Sequence, residues 1–412
     1  MSPSDVHVVG VGMTPFRYDP TTTVKGLTTE AVDRVCVDAG IGPDAVEAVF
    51  FANSGQGVME GQHAVRGQVA LRAAGVTSVP VTNVENACAG GSTALNSAVA
   101  AVASGMADVA LAVGVEKMSD PDRARSFEIF AGGWDVAEAG STMNALRDLG
   151  AGVRVPAEHR GGASKSIFMD VYAALVRDHM QRFGTTPEDL AAVAEKNHTH
   201  AVANPLAQYR TPMTAADVLA ARTVAWPLTV PMCAPLTDGA AAALVCRGDT
   251  LDRFARDRAV RVAASVLGTG IDRTVEEYKD HLVARAARRA YEIAGAGPED
   301  VDVAEVHDAT SFAEIWQIEN LGLCAFGEGA ALTRSGATSL GGRIPVNTSG
   351  GLECKGHPIG ATGLGQIHEI VTQLRHEAGP RQVEGARIGL IENGGGFIGV
   401  EEAVAAITIL ER

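Results

Sequence analysis

The 412-residue chain is 46% hydrophobic and 20% charged, enough apolar content to bury a substantial core spread over two or three domain-sized units. Its formal charge of −15 works against nonspecific attraction to nucleic acid or to an anionic membrane, although a local basic patch for a phosphorylated ligand stays compatible with it. Six cysteines, at positions 36, 88, 233, 246, 324 and 354, make no CxxC pair and no zinc-ligand spacing, which fits a reducing, cytoplasmic compartment and gives no metal site.

From the N-terminus, Met1-Ser2-Pro3 runs directly into a predicted strand, His7 to Val11, with no charged and apolar leader, so no secretion signal is expected. Ala39-Gly40-Ile41-Gly42-Pro43-Asp44-Ala45-Val46 predicts a helix end and a turn leading into a second strand. Val79 to Val84 predicts a strand that breaks into Asn86-Ala87-Cys88-Ala89-Gly90-Gly91-Ser92-Thr93-Ala94-Leu95 and opens a long apolar helix. From about Ser119 to Trp226 the pattern turns polar and reads as an insert with its own helices, Ile167 to Phe183 and Pro187 to Val202. Asp238-Gly239 reads as a turn before a buried strand, Ala240 to Cys246, and Ala259 to Leu267 as the first strand of a second unit. The expected division is residues 1–118 and 227–258 as one half, 119–226 as the insert, and 259–412 as the other half. The apolar stretches all carry Gly, Ser or charge and read as buried elements, with no membrane span.

Two internal echoes bear on architecture. Ala294-Gly295-Ala296-Gly297-Pro298-Glu299-Asp300-Val301 repeats the helix-end segment at Ala39, and Cys88 to Leu95 aligns with His357 to Leu364 at Gly91/Gly360, Thr93/Thr362 and Leu95/Leu364. Two similar α/β halves related by a pseudo-twofold axis would carry those two helix starts toward each other.

Cys88 stands where small residues open a helix, a setting whose free backbone N–H groups and macrodipole favour a thiolate; a small buried hydrophobe is the plainer reading. His307, in Val303-Ala304-Glu305-Val306-His307-Asp308-Ala309, ends a strand, and His357, in Lys355-Gly356-His357-Pro358-Ile359-Gly360, begins a helix. One imidazole to take a thiol proton and another to bind a developing oxyanion is a recurrent way of activating a cysteine nucleophile. His198-Thr199-His200 has no acidic or cysteine partner at ligand spacing and reads as hydrogen-bonded rather than metal-binding.

The segments Asn86 to Leu95, Asn347 to Gly351 with Lys355 to Gly363, and Ile391 to Gly396 resemble the nucleophile, histidine and final glycine-turn motifs of the thiolases. The His307-Asp308 pair is similar to the sterol carrier protein type branch of that family. The resemblance implies duplicated α/β/α/β/α layers with an inserted loop domain that covers a pantetheine arm. It implies Cys88 as acyl carrier, His357 as its activator and His307 as a ligand of the thioester oxygen, with an oxyanion hole from the backbone N–H groups of Cys88 and Gly394. It further implies acyl-CoA and CoA as substrates, no tightly bound cofactor, and a homodimer or homotetramer.

One departure stands out. Thiolases carry a second cysteine before the last glycine turn or after the His-Asp pair, and here those positions hold Glu392 and Ala309. Glu392 either replaces it as acid/base, if burial raises its pKa, or is a structural carboxylate; Cys354 near His357 is another stand-in. The expected activity is thiolytic cleavage of a 3-oxoacyl-CoA or the reverse Claisen condensation. The alternatives are an acyl-transfer or carbon–carbon lyase enzyme with a different second half-reaction, and a non-catalytic acyl-CoA-binding subunit.

Overall fold

The computed structural model describes residues 5–147, 149–159 and 166–412, so the leader reading at Met1 to Ser4 lies outside the described residues. The strands are β1 (Val6–Met13), β2 (Ala48–Ala52), β3 (Val81–Val84), β4 (Val109–Glu116), β5 (Thr223–Ala225), β6 (Leu228–Thr229), β7 (Gly239–Arg247), β8 (Val260–Thr269), β9 (Val303–Glu305), β10 (Ile388–Gly395) and β11 (Val404–Glu411). Apart from the β5-β6 ribbon they form one sheet in the order β3-β2-β4-β7-β1-β8-β11-β10-β9.

The sheet is two halves joined at a narrow seam, because β1 meets β8 only at His7↔Arg261 and Val8↔Val260. Outward from that seam, β1-β7-β4-β2 and β8-β11-β10-β9 repeat the same pairings: antiparallel, antiparallel, parallel. Val346, bridged in parallel to Ala304, holds the place beside β9 that β3 holds beside β2. The first echo is visible in the caps. The helices Val24–Ala39 and Leu282–Ala294 end on Gly40 (φ 71°) and Gly295 (φ 70°), left-handed positions that glycine takes without a Cβ clash.

Side-chain alternation assigns the layers. Ala110 and Ala112 of β4 and Ala241, Ala243 and Val245 of β7 pack toward the helices Gly90–Ala103 and Thr362–Leu374, with Ile391 and Leu410 of the other half in the same core. The opposite faces, with Val109, Leu111, Val113 and Leu244, pack on the helix Val24–Ala39. In the second half Leu390, Ile407 and Ile409 pack on the helix Leu282–Ala294. The result is helix, sheet, paired helices, sheet, helix, the layering the resemblance implies.

The segment expected as an insert holds the helices Ile167–Phe183 and Pro187–Ala201, the second opened by a reciprocal cap in which Thr186 N–H donates to Asp189 (2.8 Å) and Asp189 N–H to Thr186 Oγ1 (3.3 Å). Its apolar residues, among them Val171, Leu175, Leu190 and Val193, share a core with Phe312, Ile315 and Trp316 of the second half. The insert therefore roofs the second half. Among the described residues no helix is long and apolar enough to cross a membrane.

The two middle helices begin against each other. A Cβ on Gly91 would lie 2.9 Å from the Gly360 carbonyl oxygen, and one on Gly114 would overlap that same oxygen. Gly114→Ala should therefore push the His357 loop away from β4, lowering stability by about 1–3 kcal/mol in denaturant unfolding and depressing activity with it. A variant with parental stability would show that this approach is not tight.

Candidate active site

The nucleophile loop follows β3. Glu85 accepts hydrogen bonds from Ala87 N–H (2.7 Å) and Ser54 Oγ (3.0 Å), and Ala87 sits at φ 46°, a left-handed conformation that alanine adopts at a cost. Cys88 occupies the short 3₁₀ turn Ala87–Ala89 that runs into the helix Gly90–Ala103. The backbone N–H groups of Cys88 itself and of Gly396 favour a thiolate on its sulfur.

His357 follows the helix Gly351–Lys355 and precedes the helix Thr362–Leu374. The Thr362 hydroxyl donates to the Pro358 carbonyl (3.0 Å), so its lone pairs face His357 Nδ1 at 2.7 Å. That arrangement puts the ring proton on Nδ1 and leaves Nε2 as an open base. His307 lies past β9, its backbone N–H donating to Glu392 Oε2 (2.8 Å). The adjacent Asp308 accepts from Leu352 N–H (2.7 Å) and Asn197 Nδ2 (3.2 Å), tying the His307 segment to the start of the His357 loop. The two imidazole centroids are 5.1 Å apart, and the Cys88 sulfur and a nitrogen of each ring lie within 4.8 Å of one another. Neither nitrogen of His307 has a hydrogen-bond partner among the described residues, which leaves both for a ligand.

The charge state differs from the thiolate expected of a helix start. Burial, then the carboxylates of Glu116 and Glu85, push the Cys88 thiol up to about 12 despite those two backbone N–H groups. Cys88 precedes the helix by a turn, and these unfavourable terms outweigh the helix-start stabilisation. Burial likewise brings His307 down to about 4 and, with His307 beside it, His357 well below the usual imidazole value. The resting site is a neutral thiol between two neutral imidazoles.

These groups form part of the lining of a cavity of about 910 Å³, with Met118, Phe127, Phe130, Phe168, Met169 and Tyr172 as an apolar wall and Arg123 and Arg222, both exposed, at its mouth. Other residues singled out from sequence do not face it. Glu392 is fully buried beneath His307 and is not part of the lining, although burial and then Glu402 raise its pKa to about 8. Gly394 is paired with Ala405 in the sheet and is not part of the lining; the glycines that reach the cavity wall are Gly395, still paired with Val404, and the half-buried Gly396. Cys354 packs with Ala201 and Ala207 in a small core of its own. His198 and His200 face backbone oxygens of Thr211 (3.1 Å) and Asn347 (3.0 Å).

Among the lining residues that the sequence did not single out are Tyr172, Cys233 and Glu402. Cys233 is bridged to Thr310, next to the Ala309 position, a tertiary proximity with no sequence signal. Glu402 had one. It returns in the β10-β11 hairpin, where Gly395 faces Val404, so a carboxylate two residues before Val404 comes back beside the glycine turn.

Because Cys88 rests as a thiol, its alkylation by iodoacetamide should keep rising between about pH 7 and about pH 10. A plateau at neutral pH would instead reveal a preformed thiolate–imidazolium pair.

Residues 6–218 match the family described as "Thiolase, N-terminal domain", and residues 273–412 match "Thiolase C-terminal domain-like". The acetyl-CoA acetyltransferase of Methanothermobacter thermautotrophicus is 38% identical over 99% of this chain and 100% of its own. Sterol carrier protein 2 of Gallus gallus is 36% identical over 94% of this chain and 69% of its own. Among solved structures, the Ltp2-ChsH2(DUF35) aldolase superposes with a TM-score of 0.77 at 22% identity, covering 100% of this chain and 98% of that one, a likeness of fold. The chain belongs to the thiolase family and is a CoA-dependent acyltransferase of the thiolase type.

Proposed function

We propose that Cys88 carries the acyl group as a thioester, that His357 takes its proton through Nε2, and that His307 binds the thioester oxygen together with the backbone N–H groups of Cys88 and Gly396. The observation that carries this reading is the convergence of one thiol and two imidazoles within 4.8 Å in the wall of a cavity of about 910 Å³. In the acylation step the Cys88 proton moves to His357 as sulfur attacks the thioester carbonyl. The tetrahedral oxyanion is met by donors already in place, and collapse of the intermediate returns the proton to the departing CoA sulfur. Glu392 holds the His307 backbone in this scheme and acts on position rather than on substrate.

Coenzyme A enters as substrate, with no tightly bound cofactor, and Arg123 and Arg222 supply positive charge at the mouth for its phosphates. The insert, residues 119–226, covers the arm between the halves 1–118 with 227–258 and 259–412. β3 is an edge strand whose Thr82 and Asn83 are exposed, and its pairing across a twofold axis would give a homodimer, in turn the unit of a homotetramer. All six cysteines are free, in keeping with a cytoplasmic enzyme. The reaction is 3-oxoacyl-CoA thiolysis or its reverse. The want of a second cysteine beside His307-Asp308 or before the glycine turn favours one other reading, a carbon–carbon lyase built on the same acyl-handling site.

Incubation with a series of 3-oxoacyl-CoA substrates and free CoA should give cleavage that requires CoA. His357→Ala should slow both Cys88 alkylation and turnover, whereas His307→Ala should leave alkylation close to parental and depress turnover by about 100-fold or more. Equal loss of alkylation in both variants would mean that the two roles are wrongly divided. Cleavage independent of CoA would favour the lyase.

A further inference from the structure

The sequence leaves the second acid/base position of the acyl-transfer site without a cysteine. We propose that Glu402, presented to the cavity by the β10-β11 turn, is the catalytic base that exchanges the proton at the carbon next to the acyl-acceptor thioester. This deepens the acyl-transfer reading above and rests on it.

Three observations carry the assignment. Glu402 lines the cavity that holds Cys88, His307 and His357, whereas Glu392 does not. Its orientation is built in from both sides. The preceding Glu401 is pinned away from the cavity by Arg273 (2.6 Å) and by the backbone N–H groups of Ile271 (2.8 Å) and Leu282 (2.8 Å). Glu402 itself accepts from Gln317 Nε2 at Oε1 (2.7 Å) and faces His281 Nε2 at Oε2 (3.0 Å). His281 accepts the Val283 N–H at Nδ1 (3.3 Å) as it caps its helix, so its ring proton sits on Nε2, close to Glu402 Oε2 but not aligned as a hydrogen bond to it. Oε1 thus carries one hydrogen bond, whereas Oε2, close to His281 but not hydrogen-bonded to it, keeps its lone pairs for a further partner.

The third observation is the division between two neighbouring buried carboxylates. Burial works against ionising Glu402, but the neighbouring His281 favours its carboxylate, while Glu392 beside it is held protonated by burial and by Glu402 itself. Two acids with opposed proton occupancy are a recurrent sign of divided acid and base roles. The groups facing Glu402 are His281, Gln317, His307, Glu392 and Tyr172, the last a neutral phenol in the cavity wall.

In the condensation direction the Glu402 carboxylate takes the α-proton of the acceptor acyl-CoA. The resulting carbanion forms a carbon–carbon bond with the acyl carbonyl held on Cys88, and the carbon–sulfur bond to Cys88 breaks with its electron pair on sulfur. The proton taken by Glu402 then reaches that thiolate, restoring carboxylate and thiol; thiolysis runs the same steps backwards. Cys233 is the other thiol in the cavity wall, but burial raises its pKa and its S–H donates to the Thr229 carbonyl oxygen (3.4 Å).

The test separates acyl loading from α-proton exchange. Parent, Glu402→Gln and Glu402→Asp are incubated with acetyl-CoA or octanoyl-CoA in D₂O. Mass spectrometry follows acyl groups on the protein and deuterium in the CoA ester. Glu402→Gln should load acyl groups at close to the parental rate and lose exchange by about 100-fold or more. Glu402→Asp keeps the charge opposite His281 and withdraws the carboxylate by one methylene, so it should load normally and exchange at least about 10-fold more slowly, a readout that survives if the glutamine variant does not fold. Parental exchange in a folded Glu402→Gln protein, or exchange lost in Cys233→Ala and retained in Glu402→Gln, overturns the proposal. A parent that loads no acyl group from either ester overturns the acyl-transfer reading first.

Discussion

Two helices that start against each other organise the rest of this molecule. Gly91 and Gly114 lie against the Gly360 carbonyl, where any Cβ would force the segments apart. Glu116 clamps the same junction, accepting from Asn53 Nδ2 (2.8 Å), Ser54 N–H (3.0 Å), Gly55 N–H (2.9 Å) and Gly360 N–H (3.1 Å). Its four donors come from both halves, so a single buried carboxylate holds the first-half loops to the histidine loop of the second. Cys88 and His357 each stand just ahead of their helix, and the closeness of the helices becomes the closeness of thiol and base. The alanines on the inner faces of β4 and β7 serve the same end, leaving room for both helices between the sheets.

That geometry has an electrostatic consequence. The clamp that aligns Cys88 with its base also places a carboxylate near the thiol, and Glu85, which shapes the Ala87 turn, adds another. Both oppose a resting thiolate. The site therefore depends on proton transfer during attack, with His357 Nε2 kept free by Thr362 and His307 kept neutral by burial. A neutral thiol is also less exposed to adventitious oxidation and alkylation than a standing thiolate, a gain for a cysteine open to a wide cavity.

Much of this was legible from residues alone because its causes are local or periodic. The small-residue helix starts, the alternating strands, the capping glycines and the repeated segments around Gly40 and Gly295 all leave marks in sequence. The echo between Gly91 and Gly360 proved to be a contact as well as a likeness. What escaped depends on tertiary return. The charge of Cys88 is set by its burial and then by Glu116, a residue at the end of another strand, and the cavity carboxylate comes back through a hairpin rather than standing ahead of the glycines. The turn edge at Gly396, rather than Gly394, meets the sulfur because the β10 ladder runs on through Gly395 before the chain peels away from the sheet.

The central claim is that a thiol at one helix start and a base at the other make a covalent acyl carrier. Its most direct test is the mass of the protein after brief exposure to acyl-CoA, followed by peptide mapping. The account predicts one acyl group per chain, on Cys88, released on adding CoA and absent from a folded Cys88→Ala variant. An adduct that persists in that variant, or maps to Cys233 or Cys354, would contradict it.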